Sequence, residues 1–310
     1  MITTITLNPS IDRRYMVDSF KKGKLFRAKE IQETLGGKGL NVARVIKQLD
    51  EAVMTTGFLG GRNGEFVDKG LNSLGIKNFF VKIKGETRNC IAILSEDGSQ
   101  TEVLEPGPTI SNDEIKRFYE KFEKLIKETS IISASGSIPD NVPIDIYNKL
   151  ITRAKKENIK FILDTSGQAL IEGIKASPYL IKPNKEELES IIGINIETEK
   201  DLIECGKKLN REGIEIVVVS LGKEGSIAIH KNTVYRVKIP NIKAVNPVGS
   251  GDSMIAGFAV ALKKNFSFKE MIAFASACGT ANAMEKETGK VSLENLKKIK
   301  NKIKIDEISL

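Results

Sequence analysis

The chain has 310 residues, 40% hydrophobic and 28% charged, the composition of a globular protein that buries a full core and not of a disordered or fibrous one. No apolar run approaches a membrane span and no basic-then-apolar leader opens the sequence, so a cytoplasmic location is expected. The net charge of +8 is spread over lysines that neighbour carboxylates, aromatic residues are only 6% and tryptophan is absent, a pattern that favours a small anionic substrate over nucleic acid.

In chain order, residues 2–7 read as a buried strand that runs into Asn8-Pro9-Ser10-Ile11-Asp12. Residues 11–33 look like strands without a crossover helix. Gly36-Gly37-Lys38-Gly39-Leu40-Asn41 then precedes a helical pattern of Val42, Val45, Ile46 and Leu49. A second excursion, residues 85–106, holds a hairpin of Asn89–Leu94 and Thr101–Leu104 around an Asp97-Gly98 turn. The two excursions are expected to meet as a small antiparallel sheet.

Further buried strands are read over 131–135, 161–164, 180–182 and 216–220, with a helix over 201–211. This alternation implies a mainly parallel sheet covered on both faces, with ligands beyond the carboxyl ends of its strands. Gly136-Ser137, Pro183-Asn184 and Ser220-Leu221-Gly222-Lys223-Glu224-Gly225 all fall at such ends. The densest basic stretch, Lys297–Lys304, reads as the solvated face of an amphipathic helix. Cys90, Cys205 and Cys278 form no CxxC and read as reduced, buried thiols. The single histidine, His230, lies in an alternating strand, which argues against multi-histidine zinc sites and Ser-His-Asp hydrolysis.

The heptapeptide Asn246-Pro247-Val248-Gly249-Ser250-Gly251-Asp252 opens a helix whose face carries Met254, Ile255, Phe258, Ala259 and Leu262. Its glycines bring backbone N–H groups to a helix N-terminus, a site for an anion, and Asp252 stands beside it as a candidate proton acceptor. A plain helix cap has the same sequence. Asn184 and Glu187 are three apart on one helical face, suited both to a water-held Mg²⁺ and to a capping box. Arg88 is a candidate fork for a phosphate, with Arg27 and Lys38 as helpers. None of the Gly-Lys pairs, starting at 23, 37, 206, 222 and 289, is followed by Ser or Thr, so no P-loop exists.

Seven segments occur together in order: TLNPSID (6–12), GGKGLNVAR (36–44), GETRNC (85–90), SGS (135–137), KPNKEE (182–187), SLGKEG (220–225) and NPVGSGDSMIAGF (246–258). Over essentially the whole chain this resembles the ribokinase-like (PfkB) sugar kinases, in the branch containing tagatose-6-phosphate kinases and 1-phosphofructokinases. The resemblance implies an α/β fold, a three-layer sandwich with a mainly parallel central sheet and a small β-sheet lid. Residues 1–10, 34–84 and 107–310 would form the body and 11–33 and 85–106 the lid, which would close over the sugar and carry a possible homodimer contact.

It implies that Asp252 is the catalytic base, with Gly249, Ser250 and Gly251 forming the anion hole beside it. Asp12, Gly37, Lys38 and Asn41 would hold the sugar, Arg88 and more loosely Arg27 its phosphate, with Ser137 close by. Lys182, Asn184, Ser220, Gly222, Gly225 and Asn282 would serve the nucleotide, and Glu187 the Mg²⁺ that accompanies ATP. The helix N-terminus is expected to keep Asp252 ionised without an unusual protonation state. GETRNCIAI (85–93) most resembles the tagatose-6-phosphate kinases, which implies the C1 hydroxyl of tagatose 6-phosphate as acceptor; fructose 1-phosphate is the nearest rival, and a non-catalytic sugar-phosphate sensor a more distant one.

Overall fold

The computed structural model describes residues 1–231 and 233–308. Strands Ile2–Thr6, Val53–Gly60 and Ile131–Ser135 are buried at every position, as expected of strands covered on both faces. Among the described residues, eleven strands form the main sheet. Its path runs Lys304–Ile308, Thr233–Lys238, Ser226–His230, Ile216–Ser220, Leu180–Ile181, Lys160–Asp164, Ile131–Ser135, Ile2–Thr6, Val53–Gly60 and Lys77–Asn78, with Val81–Ile83 also on Val53–Gly60. Pairing is parallel from Ile216–Ser220 to Lys77–Asn78 and antiparallel beyond it to Lys304–Ile308.

Strand Lys160–Asp164 shows how the layers arise. Ile162 joins the apolar cluster under helices Lys38–Gln48, Ser250–Lys263 and Phe268–Ala283. Its neighbours Phe161 and Leu163 point the other way, into the cluster under Asn112–Leu125, Ile146–Lys156 and Glu199–Arg211. The result is a three-layer α/β sandwich. Helix Ser250–Lys263 is buried on every side from Asp252 to Leu262, and not on the single face its apolar spacing suggests. It packs on the sheet and against the helices Lys38–Gln48 and Phe268–Ala283. No helix of the described residues is long and apolar enough to cross a membrane.

A separate four-stranded sheet is ordered Glu30–Gly36, Ser10–Val17, Arg88–Ser95 and Gln100–Leu104. It is not wholly antiparallel, because the two central strands run parallel from Ser10↔Arg88 to Val17↔Ser95. The physical reason lies in the main sheet. Ser10–Val17 leaves from the carboxyl end of Ile2–Thr6, and Arg88–Ser95 follows Val81–Ile83, which runs parallel through Val53–Gly60. Both excursions therefore set out in one direction, and their first strands lie side by side. Each then turns back as an antiparallel partner.

The basic stretch near the C-terminus divides: Lys297, Lys298 and Lys300 end the helix Leu293–Lys300, while Lys304 starts the edge strand. His230 stacks on Phe268 and sits 3.0 Å from a Glu215 carboxylate oxygen, lining neither of the cavities described below.

Candidate active site

The carboxyl ends of the parallel strands converge on one region. Strand Lys160–Asp164 ends in a carboxylate, and the neighbouring strand Leu180–Ile181 is followed by Lys182. Asp164 and Lys182 are 5% and 8% exposed and pair at 3.3 Å. Lys38, the first residue of its helix, approaches the other Asp164 oxygen at 3.8 Å. Burial alone would raise the Asp164 pKa, but Lys182 and Lys38 outweigh it and hold the carboxyl below its ordinary value. Lys38 is raised in turn, chiefly by Asp164. Of this ionised bridge, Lys38 and Lys182 belong to the sequence-based site and Asp164 does not. The only signal for it was a carboxylate closing an otherwise apolar buried strand.

Asp252 occupies the first turn of Ser250–Lys263 and is 6% exposed. Its pKa is pushed up to about 6, first by burial and then by the charge of Asp164, against a hydrogen bond from Asn41 and the cations Lys38 and Lys182. The carboxyl therefore lies above the ordinary aspartate value but stays mainly ionised at neutral pH. Asn41 Nδ2 donates to Asp252 Oδ2 at 2.8 Å.

The preceding turn depends on Gly249, which caps the helix at φ 81°; a side chain there would also meet Thr288 Cγ2 at 2.6 Å. Of the four N–H groups from Gly249 to Asp252, that of Ser250 is engaged by Pro247 O at 3.2 Å. The N–H groups of Gly249, Gly251 and Asp252 make no hydrogen bond among the described residues, and the Ser250 hydroxyl is buried without a partner.

Two cavities flank this turn. The first, about 630 Å³, is lined by Asp12, Gly37, Lys38, Asn41, Arg88, Ser137, Asp164 and Asp252 together with the inner face of the small sheet. The second, about 480 Å³, is lined by Ser220, Gly222, Gly225 and Ser250 together with Ile239, Pro240, Ile242 and Ala244. Lys182 and Gly251 line both. In the first cavity, burial raises Asp12 against a 2.7 Å hydrogen bond from Ser10 and the cations Arg44 and Arg88. Gly36 is required there because a Cβ would sit 1.9 Å from Asp12 Oδ1.

Arg88 reaches the cavity while donating to the carbonyls of Glu105 at 2.9 Å and Asn8 at 3.2 Å; its Nε is buried without a partner. Ser137 accepts from Asn8 Nδ2 at 3.2 Å. Cys90 is half-exposed and lines this cavity, unlike the buried Cys205 and Cys278.

Other residues of the sequence-based site stand outside both cavities. Asn184 and Glu187 form the capping box of helix Lys185–Ile192, with reciprocal bonds of 2.7 and 2.9 Å. Asn282 is fully buried: its oxygen accepts from Ser253 Oγ and the N–H groups of Gly289 and Lys290, and its amide donates to Val248 O. It therefore clamps the 246–249 turn to the 284–291 loop. Arg27 is exposed between strands Ser10–Val17 and Glu30–Gly36 and reaches neither cavity.

Known proteins share this architecture. The model of the pfkB family carbohydrate kinases matches residues 5–295. A tagatose-6-phosphate kinase of Staphylococcus epidermidis is 43% identical, covering 99% of this chain and 100% of its own length. Phosphofructokinase-2 of Escherichia coli, in complex with substrates and products, superposes with a TM-score of 0.90 at 29% identity, over 97% of this chain and 98% of that one. The same figures hold for the tetrameric inhibited form of that enzyme.

Proposed function

Because the chain belongs to the pfkB family of carbohydrate kinases and is an ATP-dependent sugar-phosphate kinase, we propose that its acceptor is the C1 hydroxyl of D-tagatose 6-phosphate and its product the 1,6-bisphosphate. The observation that carries this reading is the wall shared by the two cavities, Lys182 and Gly251, with Asp252 on the side of the first. A sugar phosphate in the first cavity and ATP in the second bring the hydroxyl and the γ-phosphoryl group together at Asp252. The 43% identity with a tagatose-6-phosphate kinase supports the choice of sugar.

In this reading Asp252 accepts the C1 hydroxyl proton as the sugar oxygen bonds to the γ-phosphorus and the bond to the leaving ADP oxygen breaks. A carboxylate with a pKa near 6 is ionised at neutral pH and close enough to it to receive a proton readily. The unengaged N–H groups of Gly249, Gly251 and Asp252 meet the charge developing on the phosphoryl oxygens, and Lys182 adds a cation. Asp12, Gly37 and Lys38 bind sugar hydroxyls, while Arg88 and Ser137 take the distal phosphate. Ser220, Gly222 and Gly225 form the nucleotide wall.

Glu187 fits a role toward Mg²⁺. One of its oxygens closes the Asn184 cap, the other makes no hydrogen bond among the described residues, and its charge reaches Lys38. Mg²⁺ bound with the nucleotide would neutralise phosphate charge. The small sheet acts as a lid that excludes water and limits ATP hydrolysis, and it offers exposed Met16, Ile31 and Val103 to a homodimer.

Asp252→Asn tests the chemical assignment. Turnover should fall by roughly 10³-fold while binding of a non-hydrolysable ATP analogue stays within a few-fold. A variant retaining more than about a tenth of the activity would remove Asp252 from the role of base.

A further inference from the structure

Asn41 and Arg44 are three residues apart in helix Lys38–Gln48, and Gln48 follows four later, so the three share one face. That face meets the 284–291 loop. Arg44 Nη2 donates to Thr288 O at 2.8 Å, and Gln48 bonds Gly289 O and the Val291 N–H, both at 2.9 Å. Arg44 makes a second bond, to Asn41 Oδ1 at 2.5 Å. Asn41 is buried, and its other end donates to Asp252.

We propose that Arg44 is a positioning residue for phosphoryl transfer, fixing which end of the Asn41 amide meets the Asp252 carboxylate; the proposal rests on the reading of Asp252 as base. The two ends of an asparagine amide are nearly equal in size and opposite in polarity. A guanidinium has no acceptor, so Asn41 must turn its oxygen to Arg44 and its NH₂ to Asp252. Reversed, the amide would set an oxygen against a carboxylate and its hydrogens against a cation. Arg44 thus determines the orientation of a group one step away from the reacting atoms, which it does not touch.

The charges around this chain act in the same sense. Arg44 faces Asp12 on the small sheet, Glu287 on the 284–291 loop and Asp252, with no ion pair within 4 Å among the described residues. Asp252 faces Asp164, Lys38 and Lys182 besides Asn41. Removing Arg44 withdraws one of the two groups that hold the amide in this sense, so a turned Asn41 oxygen becomes available to accept from protonated Asp252; it also takes a cation from the neighbourhood, and the carboxylate becomes harder to ionise.

The test compares Arg44→Met with Gln48→Met, which loosens the same loop without touching Asn41. Arg44→Met should lower kcat about tenfold and move the acid limb of its pH profile upward by about half a unit to one unit, with the KM for sugar phosphate changed less than about twofold. Arg44→Lys, which keeps a cationic donor, should recover part of both losses. Gln48→Met should lower Tm and leave the limb in place. If Arg44→Met does not fold, Arg44→Gln is read in the same way.

A wild-type kcat and limb in the Arg44 variant would overturn the proposal. So would an equal shift in Gln48→Met, since loop anchoring would then account for it. High residual turnover in Asp252→Asn would instead defeat the assignment of the base, whatever the Arg44 variants do.

Discussion

The chemistry of Asp252 is set by a contest between burial and its neighbours, and burial prevails. With a pKa of about 6, the base is half protonated at pH 6. The kcat/KM for sugar phosphate should therefore fall about tenfold per pH unit below that value and stay level above it. A profile flat down to pH 5 would contradict the assignment. The same shift carries a cost in stability. The folded pKa lies above the ordinary aspartate value, so the favourable contribution of protonated Asp252 is complete below pH 4 and lost as pH rises through 6. Asp252→Asn should accordingly stabilise the free protein at pH 8, by roughly 2–3 kcal/mol in a melting experiment, and hardly at all near pH 4. No difference between the two pH values would show that the carboxylate is not strained. Asp252 itself was legible from its glycine-framed helix start. Its shifted pKa was not, because the shift depends first on burial and then on the charge of Asp164, opposed by Asn41, and all of these arise only in the fold. Asn41 was legible as a polar group at the site, but the partners of its two amide ends were not.

Among the elements, the turn into helix Ser250–Lys263 concentrates the requirements. Gly249 combines a left-handed φ of 81° with an approach to Thr288 and Gly289 that leaves no room for a Cβ. Gly249→Ala should lose about 1–3 kcal/mol of stability and reduce kcat on the order of 10²-fold, because the displaced turn carries both the N–H groups and Asp252. A variant active within about twofold would show that the turn tolerates movement. The element pattern was readable because apolar runs and helical spacing are local properties, as in Ile131–Ser135 and Ile216–Ser220. Strand direction in the small sheet was not readable in that way. The parallel pairing of Ser10–Val17 with Arg88–Ser95 follows from where each excursion leaves the main sheet, which no local window contains. The Asn184–Glu187 spacing fits a cap and a ligand pair equally, and the cap is formed.

At the scale of the whole molecule, two cavities meet across Lys182 and Gly251, with the small sheet over one of them. Exposed Met16, Ile31 and Val103 on that sheet favour a homodimer. Light scattering at micromolar concentration should give twice the chain mass, and Ile31→Glu with Val103→Glu should reduce it to one; a wild-type monomer would contradict the lid contact. The identity of the sugar is the central claim and has a direct measurement. ADP formation should be followed in parallel with D-tagatose 6-phosphate and fructose 1-phosphate, with the product position assigned by phosphorus NMR. The kcat/KM for tagatose 6-phosphate should be at least about tenfold higher, equivalent to about 1.4 kcal/mol of transition-state discrimination, with a 1,6-bisphosphate product. A preference of that size for fructose 1-phosphate would contradict the claim.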